Sequence, residues 1–265
     1  MQKLLLCPPT YFDIAYAINP WMHIDKKVSR IKVLEEYTNL KNKYTELGVE
    51  FDELQPTQGL PDQVYTTDMG LPVGKLFIKS NFKYGQRKPE ATIGAEYFTS
   101  LGYAVYNIPP SLSFEGEGDL IKNGDRYFMG WGQRTMYEAE EYLSIALQKQ
   151  VIPLKLIHPS FFHLDTCFAP LNTDVAMYYP KAFSTDSKQT LSKYFKKLIA
   201  IEQLDADVFA CNLIILENNI VIHGELSYSL KKEIEKYGFI IHTVDMSEYL
   251  KGGGSVKCVS LQIFE

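Results

Sequence analysis

The stretch Cys211-Asn-Leu-Ile-Ile-Leu-Glu-Asn-Asn-Ile-Val-Ile-His-Gly224 contains two apolar runs that meet at Asn218-Asn219. Runs rich in Ile and Leu on either side of a turn-forming pair predict a β-hairpin. A helix is predicted at 230–237, where it is followed by Gly238, and the apolar run 239–243 then predicts another strand. Strands and helices that alternate in this way indicate the α/β class.

The same alternation extends over the rest of the chain, where helices carry apolar residues three and four positions apart. The other predicted helices are 31–47, 89–101, 136–148 and 191–201. The other predicted strands are 3–7, 49–54, 75–79, 104–108, 126–130, 151–157, 166–171, 175–179 and 258–264. No linker divides the chain, so we predict one α/β domain over 1–265. Helices roughly 40–60 residues apart hint at internal repetition, but periodicity does not choose between a doubly wound sheet and a radial arrangement.

Composition excludes several classes of protein. The 265 residues carry 32 acidic and 27 basic side chains and a net charge of −5, which disfavours nucleic acid and anionic membranes as partners. No apolar run approaches the roughly 20 residues of a membrane span, and no targeting segment is visible, so we expect a cytoplasmic protein. The four cysteines are isolated in sequence, which predicts neither a zinc site nor a disulfide framework, but buried thiols of which one reacts.

Two acidic segments carry candidate site residues. Asp62 and Asp68 flank the strand-like residues 64–66 and could point into one cavity. In Phe114-Glu-Gly-Glu-Gly-Asp119, three carboxylates alternate with glycines, which let a ligand approach the backbone. Closely spaced carboxylates there suit a cation or acid/base chemistry, whereas the alternative is a solvated acidic turn.

Two further segments offer an imidazole and a thiol. If the chain is extended at His163 and Asp165, both side chains fall on one face, as in a general acid/base pair. The alternative is a buried, hydrogen-bonded histidine. Near the other end, Gly252-Gly-Gly254 precedes Cys258, and the neighbouring Lys257 would lower the pKa of that thiol. The alternative for this cysteine is a small buried apolar residue.

Two isolated arginines complete the set of candidate residues. Arg87 and Arg134 lie in polar segments that contain glycine, and the arginine fork matches carboxylates; the alternative for each is solvated surface charge. Together, the carboxylates would hold a cationic head, the arginines an anionic tail, and the thiol would attack the head. An amino acid with a guanidinium side chain has this shape.

At this point the chain resembles the guanidino-group-modifying enzymes, the superfamily of arginine deiminase, dimethylarginine dimethylaminohydrolase and the amidinotransferases. The resemblance extends from Pro8-Pro-Thr-Tyr-Phe-Asp through the acidic motifs to the final glycines and cysteine. It is strongest to the cyanobacterial arginine dihydrolase domain, in the stretches Ile18-Asn-Pro-Trp-Met22 and His163-Leu-Asp-Thr-Cys-Phe168. It implies a five-bladed α/β propeller, the pentein fold, in which five ββαβ units surround a central active site.

The resemblance also implies roles for individual residues. A cysteine attacks the guanidinium carbon and forms a covalent thiouronium, and neither a metal nor an organic cofactor is needed. The implied residues are Cys258 as nucleophile, His163 as general acid/base and Glu115 as its carboxylate partner, Asp62 and Asp165 for the guanidinium, Arg87 and Arg134 for the α-carboxylate, and Asn19 in the pocket wall. Glu117 has no implied role. The partner is a small molecule, arginine or a derivative, and a homo-oligomer remains open.

One departure from the dihydrolases bears on the product. Their motif reads Phe-Thr-Ala-Asn, whereas this chain has Tyr65-Thr-Thr-Asp68. A carboxylate repels the neutral ureido oxygen of citrulline and prefers a guanidinium, so we place Asp68 among the substrate-binding residues and expect hydrolysis of arginine to stop at citrulline and ammonia.

Several alternatives stay open. A dihydrolase would give ornithine, ammonia and CO2. Dimethylarginine hydrolysis is another possibility, against which Thr67 counts mildly, because those enzymes usually have Glu there. An amidinotransferase, a citrulline ureidase and a non-catalytic binding module of the same fold are further alternatives. The compact chain argues against an amidinotransferase, and Asp68 argues against a citrulline ureidase. The retained cysteine, histidine, carboxylates and arginines argue against a non-catalytic binding module.

Overall fold

Five small sheets surround the centre of the molecule. The computed structural model describes residues 2–264, and fifteen strands within that range form five separate three-stranded sheets. In each sheet two strands pair antiparallel, a helix follows, and the third strand returns parallel to the middle strand. This ββαβ repeat makes the five-bladed α/β propeller, the pentein fold, that the resemblance implied.

The bounds of the elements follow the chain. The strands are β1 Gln2–Leu6, β2 Glu50–Glu53, β3 Gly70–Val73, β4 Leu76–Lys79, β5 Ala104–Asn107, β6 Leu120–Asn123, β7 Arg126–Trp131, β8 Val151–Lys155, β9 Phe168–Pro170, β10 Val175–Tyr178, β11 Lys197–Ala200, β12 Ile214–Leu216, β13 Asn219–His223, β14 Ile240–Val244 and β15 Leu261–Phe264. The α-helices are α1 Arg30–Glu46, α2 Lys88–Ser100, α3 Gly116–Asp119, α4 Ala139–Leu147, α5 Thr185–Tyr194, α6 Gln203–Asp207, α7 Tyr228–Glu235 and α8 Ser247–Leu250.

One blade is built from both ends of the described chain. β15 pairs antiparallel with β1, and β1 pairs parallel with β2, so that Leu4 lies opposite both Gln262 and Phe51. Leu4, Leu5 and Leu6 are fully buried because β1 is the middle strand of its sheet. Burial of each such side chain stabilises the fold by roughly 1.5–3 kcal/mol. No helix within residues 2–264 is both long and apolar enough to cross a membrane.

Helix ends follow the signals in the sequence. The side chain of Ser29 accepts a hydrogen bond from the Lys32 N–H and caps the start of α1. Gly102 and Gly238, which follow α2 and α7, both have φ of +81°. Because that backbone region strains any residue with a Cβ, glycine is favoured at these exits, as predicted for Gly238.

Some predicted elements are wrong. The helix predicted at 191–201 is correct only in its first turn, because α5 ends at Tyr194 and Lys197–Ala200 is a strand. The hairpin of the fourth blade turns at Glu217-Asn218 rather than at Asn218-Asn219, since Leu216 pairs with Asn219. Gly70–Val73 and Leu120–Asn123 are strands that the apolar pattern missed.

The segments that directly precede the first strand of each sheet converge at the centre of the propeller. We call them the lead-in segments: 61–69 before β3, 115–119 before β6, 163–167 before β9, 210–213 before β12 and 252–260 before β15. They hydrogen-bond to one another. The Thr67 hydroxyl donates to the Lys257 carbonyl at 2.6 Å, and the Leu164 N–H donates to Asp119 Oδ1 at 3.1 Å.

Candidate active site

The predicted site residues meet at one small central cavity, with about 260 Å³ of empty space when its opening to solvent is included. Two of the nine, Glu115 and Asp165, do not line it but contact residues that do. The other seven line it: Asn19, Asp62, Asp68, Arg87, Arg134, His163 and Cys258. Four of the five lead-in segments supply the acids, the imidazole and the thiol.

The thiol of Cys258 is buried between an acid and an amide. Its Sγ lies 3.4 Å from Asp165 Oδ2 and 3.0 Å from Asn212 Nδ2. Burial and the carboxylates of Asp165 and Asp68 raise the pKa of the thiol well above its ordinary value, although hydrogen bonds from the Ser255 N–H and from Asn212 act to lower it. With no cation bound, the thiol is protonated.

Lys257 does not activate this thiol, contrary to the expectation from its place in the sequence. Its ammonium forms an ion pair with Glu117 and lies 3.0 Å from Gln262 Oε1. These three side chains line a separate cavity of about 500 Å³. The pairing with Lys257 also gives Glu117 a partner, which the sequence did not predict. Cys258 itself lies in a turn, because β15 begins only at Leu261.

The imidazole of His163 is held among carboxylates. Its Nε2 is 2.7 Å from Glu115 Oε2, and its Nδ1 is 3.5 Å from Asp68 Oδ1. Burial alone would lower the pKa of this group, but the negative charges of Asp68, Asp119 and Glu115 raise it to about 9. These charges favour the protonated ring at neutral pH, with Nε2 bonded to Glu115 and Nδ1 facing Asp68.

The backbone is extended at His163 but turns directly after it, so the extended stretch that would have put His163 and Asp165 on one face is not formed. His163 precedes a 3₁₀ turn, Leu164–Thr166, which aims Asp165 at the thiol while the imidazole contacts Glu115. Asp119 holds the turn: its Oδ1 accepts the Leu164 N–H, and its Oδ2 accepts the Thr135 hydroxyl at 2.7 Å. The acidic motif is thus buried and structural in part, not a solvated turn.

A close approach explains one of the glycines in this motif. A Cβ on Gly118 would lie 2.4 Å from Asp68 Oδ1 and 3.1 Å from His163 Nδ1. Both distances are too short for an ordinary contact. Only glycine therefore lets this lead-in segment pass behind the imidazole and the carboxylate.

Asp62 and Asp68 are fixed by Arg87 and Tyr16. The expected short strand at 64–66 is instead part of two 3₁₀ turns, Pro61–Val64 and Thr66–Met69. The Arg87 guanidinium donates to Asp68 Oδ2 at 2.7 Å, and the Tyr16 hydroxyl donates to Asp62 Oδ2 at 2.8 Å.

Arg87 is also bound to a carboxylate that the sequence analysis missed. Its Nε and one terminal nitrogen donate to Glu90 Oε2 at 3.0 and 2.8 Å. The Arg87 side chain is 4 % exposed, so solvated surface charge, the alternative considered for it, is wrong. Glu90 lies on the first turn of α2, where nothing in the sequence distinguishes it from an ordinary helix carboxylate.

Four buried carboxylate oxygens among the described residues have no hydrogen-bond partner. One is Oε1 of Glu90, the partner of Arg87, and the other three are Oδ1 of Asp62, Asp68 and Asp165. A buried carboxylate oxygen without a donor carries a desolvation cost that a bound N–H group would remove. The three oxygens thus mark an environment suited to a ligand rich in N–H donors.

Arg134 connects the acidic centre to the cavity wall. It donates to Glu115 Oε2 at 2.9 Å and to the Ile18 carbonyl at 3.0 Å. Its guanidinium lies between the rings of Tyr84 and Phe162, 4.8 and 4.5 Å from their centroids. These contacts bury a positive charge at the cavity, so Arg134 is not solvated either.

Asn19, Gly252 and Gly253 also line the cavity, and Gly254 follows them in the chain. The Asn19 amide donates to the Gly252 carbonyl at 3.0 Å. A Cβ on Gly253, whose φ is +88°, would lie 2.9 Å from that amide, and a Cβ on Gly254 would lie 2.5 Å from the Tyr65 ring. The glycines are therefore required by close packing against these two side chains.

Asn212 is a site residue that sequence reasoning missed. It is fully buried in the fourth lead-in segment and hydrogen-bonds to the sulfur of Cys258. An asparagine before an apolar strand is ordinary, so the residue alone gives no signal. Alignment of the five repeats would have pointed to Asn212, because each of the other lead-in segments carries site residues directly before its first strand. Within residues 2–264, no group of three or more His, Cys, Asp or Glu is placed to hold a metal ion.

Comparison with known proteins identifies relatives over nearly the whole chain. Residues 13–265 match the family described as N,N dimethylarginine dimethylhydrolase, eukaryotic. The chain is 35 % identical to the bifunctional arginine dihydrolase/ornithine cyclodeaminase ArgZ of Synechocystis, over 99 % of its own length and 38 % of that protein's. It is also 35 % identical to the N(G),N(G)-dimethylarginine dimethylaminohydrolase of Mycobacterium tuberculosis, over 99 % of this chain and 86 % of the relative.

A solved structure agrees with these matches. The substrate-bound N-terminal domain of ArgZ, an arginine dihydrolase from cyanobacteria, superimposes with a TM-score of 0.95 at 33 % identity. The match covers all of this chain and 99 % of that domain. The chain thus spans 38 % of the length of ArgZ but nearly all of its N-terminal domain.

Proposed function

We propose, since this chain belongs to the N,N-dimethylarginine dimethylhydrolase family of guanidino-group-modifying enzymes, that it hydrolyses a guanidino C–N bond of arginine and releases citrulline and ammonia. One observation carries the proposal: three buried carboxylate oxygens that accept no hydrogen bond, on Asp62, Asp68 and Asp165, lie at the site of a buried thiol. A guanidinium presents five N–H donors and a positive charge, so it satisfies these oxygens and offers the thiol a carbon to attack.

Arginines at the same cavity support an amino-acid substrate. Arg87 and Arg134 both line it, and each is held by an acid, Glu90 and Glu115 respectively. A buried guanidinium binds the planar α-carboxylate of a substrate through two parallel hydrogen bonds. Asn19 lines the same cavity.

Substrate charge activates the nucleophile. Asp165 and Asp68 raise the pKa of the free thiol, and a guanidinium between them neutralises that effect. Asp165 Oδ2 accepts the thiol hydrogen bond, and burial together with Asp68 raises the pKa of Asp165 to about 7. Asp165 is thus suited to receive the thiol proton as the cation binds.

Hydrolysis then takes two steps. Sγ attacks the guanidinium carbon, and the His163 cation gives its Nδ1 proton to the departing nitrogen, so that the C–N bond breaks and ammonia leaves a thiouronium on Cys258. The neutral imidazole next takes a proton from water, whose oxygen attacks the same carbon. The C–S bond breaks, the added hydroxyl releases its proton to solvent as citrulline leaves, and Sγ takes back the proton held by Asp165.

Asp68 supports citrulline as the final product. Its Oδ2 is bound by Arg87, and its free Oδ1 faces His163. A carboxylate at this place attracts a guanidinium but repels the oxygen of a ureido group, so citrulline is held too weakly for a second hydrolysis. Arginine dihydrolysis to ornithine is therefore the less favoured reaction, although it is the activity named for ArgZ.

Methylated arginines are a second candidate substrate class. The family match over residues 13–265 and the mycobacterial relative favour them. Their hydrolysis would use the same groups and the same product, with a methylamine as the leaving group in place of ammonia.

A substrate panel tests the proposal. The purified protein is incubated with arginine, dimethylarginine, agmatine or citrulline, quenched with acid and analysed by mass spectrometry, with Cys258→Ser as the control. We expect citrulline from arginine, and a covalent adduct on Cys258 that the variant lacks. Absence of turnover with every compound, in a folded protein, would contradict the proposed enzyme and favour a non-catalytic binding module.

A further inference from the structure

Asn212 occupies the fourth lead-in segment at the same place where the other segments carry acids, an imidazole or the thiol. Its side chain is fully buried. Its Nδ2 lies 3.0 Å from Cys258 Sγ and 3.3 Å from the Asp165 carbonyl. Both contacts are to groups of the site described above.

The orientation of the Asn212 amide is fixed by the backbone. Its Oδ1 accepts hydrogen bonds from the N–H groups of Ser255 and Cys258, each at 3.1 Å. An oxygen can accept these two bonds and an NH₂ group cannot, so the nitrogen must face the sulfur. The sulfur therefore meets an N–H donor in a predetermined position.

The neighbours of the sulfur differ in which form of the cysteine they favour. Asp165 is an acceptor and stabilises the neutral S–H. Lys257, the cation next in sequence, is paired with Glu117. A donor that points at the sulfur instead stabilises the anion, because a hydrogen bond to a charged acceptor is roughly twice as strong as one between neutral groups.

We propose that Asn212 is a catalytic residue, which donates a preoriented hydrogen bond to Cys258 Sγ and stabilises the thiolate as nucleophile and as leaving group. The proposal rests on the function proposed above, in which the thiolate exists twice in each turnover: before it attacks the guanidinium carbon, and when citrulline departs. No proton is transferred by Asn212.

The test measures thiolate formation without substrate, so its outcome does not depend on which guanidine is hydrolysed. Alkylation of Cys258 by iodoacetamide is followed by peptide mass spectrometry across pH, with Cys258→Ser as the background. Asn212→Asp keeps the oxygen that binds the two backbone N–H groups but removes the donor. Asn212→Ala removes the donor without adding charge.

We expect the midpoint of alkylation to move to higher pH by at least about one unit in both variants, and further in Asn212→Asp. We also expect kcat for arginine to fall at least about tenfold at neutral pH and to recover in part as pH rises. A merely structural role would not shift a pH profile.

Asn172→Asp is the matched control. Asn172 Oδ1 also accepts two backbone N–H groups, from Asp174 and Val175, but it lies outside the lead-in segments, in the loop between β9 and β10. Its alkylation midpoint should equal that of the wild type. An unchanged midpoint in both Asn212 variants, or loss of the folded circular dichroism spectrum in both, would make Asn212 a structural residue and overturn the proposal.

Discussion

The first and fourth blades, those of β3–β5 and β12–β14, have the same topology but very different lead-in segments. β3–β4–β5 and β12–β13–β14 each combine an antiparallel hairpin with a parallel third strand. The segment before β3 buries two carboxylates held by Arg87, whereas the segment before β12 brings one neutral amide, Asn212, to the thiol. The five repeats thus share the topology of their sheets, whereas the side chains that they bring to the cavity differ.

The difference also has an energetic side. Removing water from a charged carboxylate costs several kcal/mol unless a partner compensates, and Asp62, Asp68 and Glu90 share one guanidinium. The amide of Asn212 has no such charge to compensate. Burial of the first lead-in segment therefore lowers the free energy of unfolding more than burial of the fourth. The packed sheets around the cavity offset this cost.

The largest effect is expected at the nucleophile. Cys258→Ser should reduce kcat for arginine by at least about 10⁴-fold, because an alcohol with no strong base beside it is a poor nucleophile. Its thermal unfolding should match that of the wild type. Cys7→Ser, a buried cysteine outside the cavity, serves as the control and should retain turnover. An equal loss of kcat in both variants would contradict the assignment of the reactive thiol to the lead-in segment that contains Cys258.

The next effect concerns the imidazole. Glu115→Gln should lower kcat by about 10²-fold, because it removes a charge that raises the pKa of His163 to about 9. In the proposed mechanism the protonated ring is the acid of the first step, so activity should decline as pH rises through that pKa, and loss of Glu115 should move the decline to lower pH. Glu117→Gln, which leaves the imidazole contact intact, should not move it. A pH–rate profile of each variant decides.

A smaller effect is expected at Asp68. Asp68→Asn keeps an oxygen for Arg87 but removes the charge, so hydrolysis of arginine should slow by about tenfold while ornithine begins to form. Chromatography of the products checks this expectation. Asp125→Asn makes the same change on an exposed side chain and should alter neither rate nor product. If Asp68→Asn still forms only citrulline, the charge of Asp68 does not determine the product.

The smallest effect on catalysis is expected away from the lead-in segments. Leu143→Ala in α4 removes a fully buried side chain and should lower the free energy of unfolding by about 2–5 kcal/mol, measured by urea denaturation. Its kcat should stay within about twofold of the wild type. Ile145→Ala on the same helix, where the side chain is 61 % exposed, should cost under about 0.5 kcal/mol.

Much of this architecture could be predicted from the sequence, because periodic apolar residues mark most helices and strands. The exceptions have local reasons. Gly70–Val73 contains glycine and proline, and Leu120–Asn123 has few apolar residues, so neither shows a strand pattern. At Lys197–Ala200, apolar residues continue the stripe of α5, and nothing in the pattern marks where the helix ends.

The site was predictable where residue chemistry is unusual and not where geometry decides. Carboxylates among glycines and a cysteine after three glycines stand out in any sequence. Glu90 and Asn212 do not, because their importance comes from distances to Arg87 and Cys258. Lys257 gave the opposite error, since a residue adjacent in sequence to the thiol directs its side chain elsewhere.

The central claim, that the site hydrolyses arginine once and stops, is tested most directly by a time course with arginine labelled with ¹³C at the guanidino carbon. Carbon NMR of the purified protein and substrate follows that atom to the end of the reaction. We predict a single new signal, the ureido carbon of citrulline, with one ammonia released per arginine. A bicarbonate signal accompanied by ornithine and two ammonia molecules per arginine would contradict the claim.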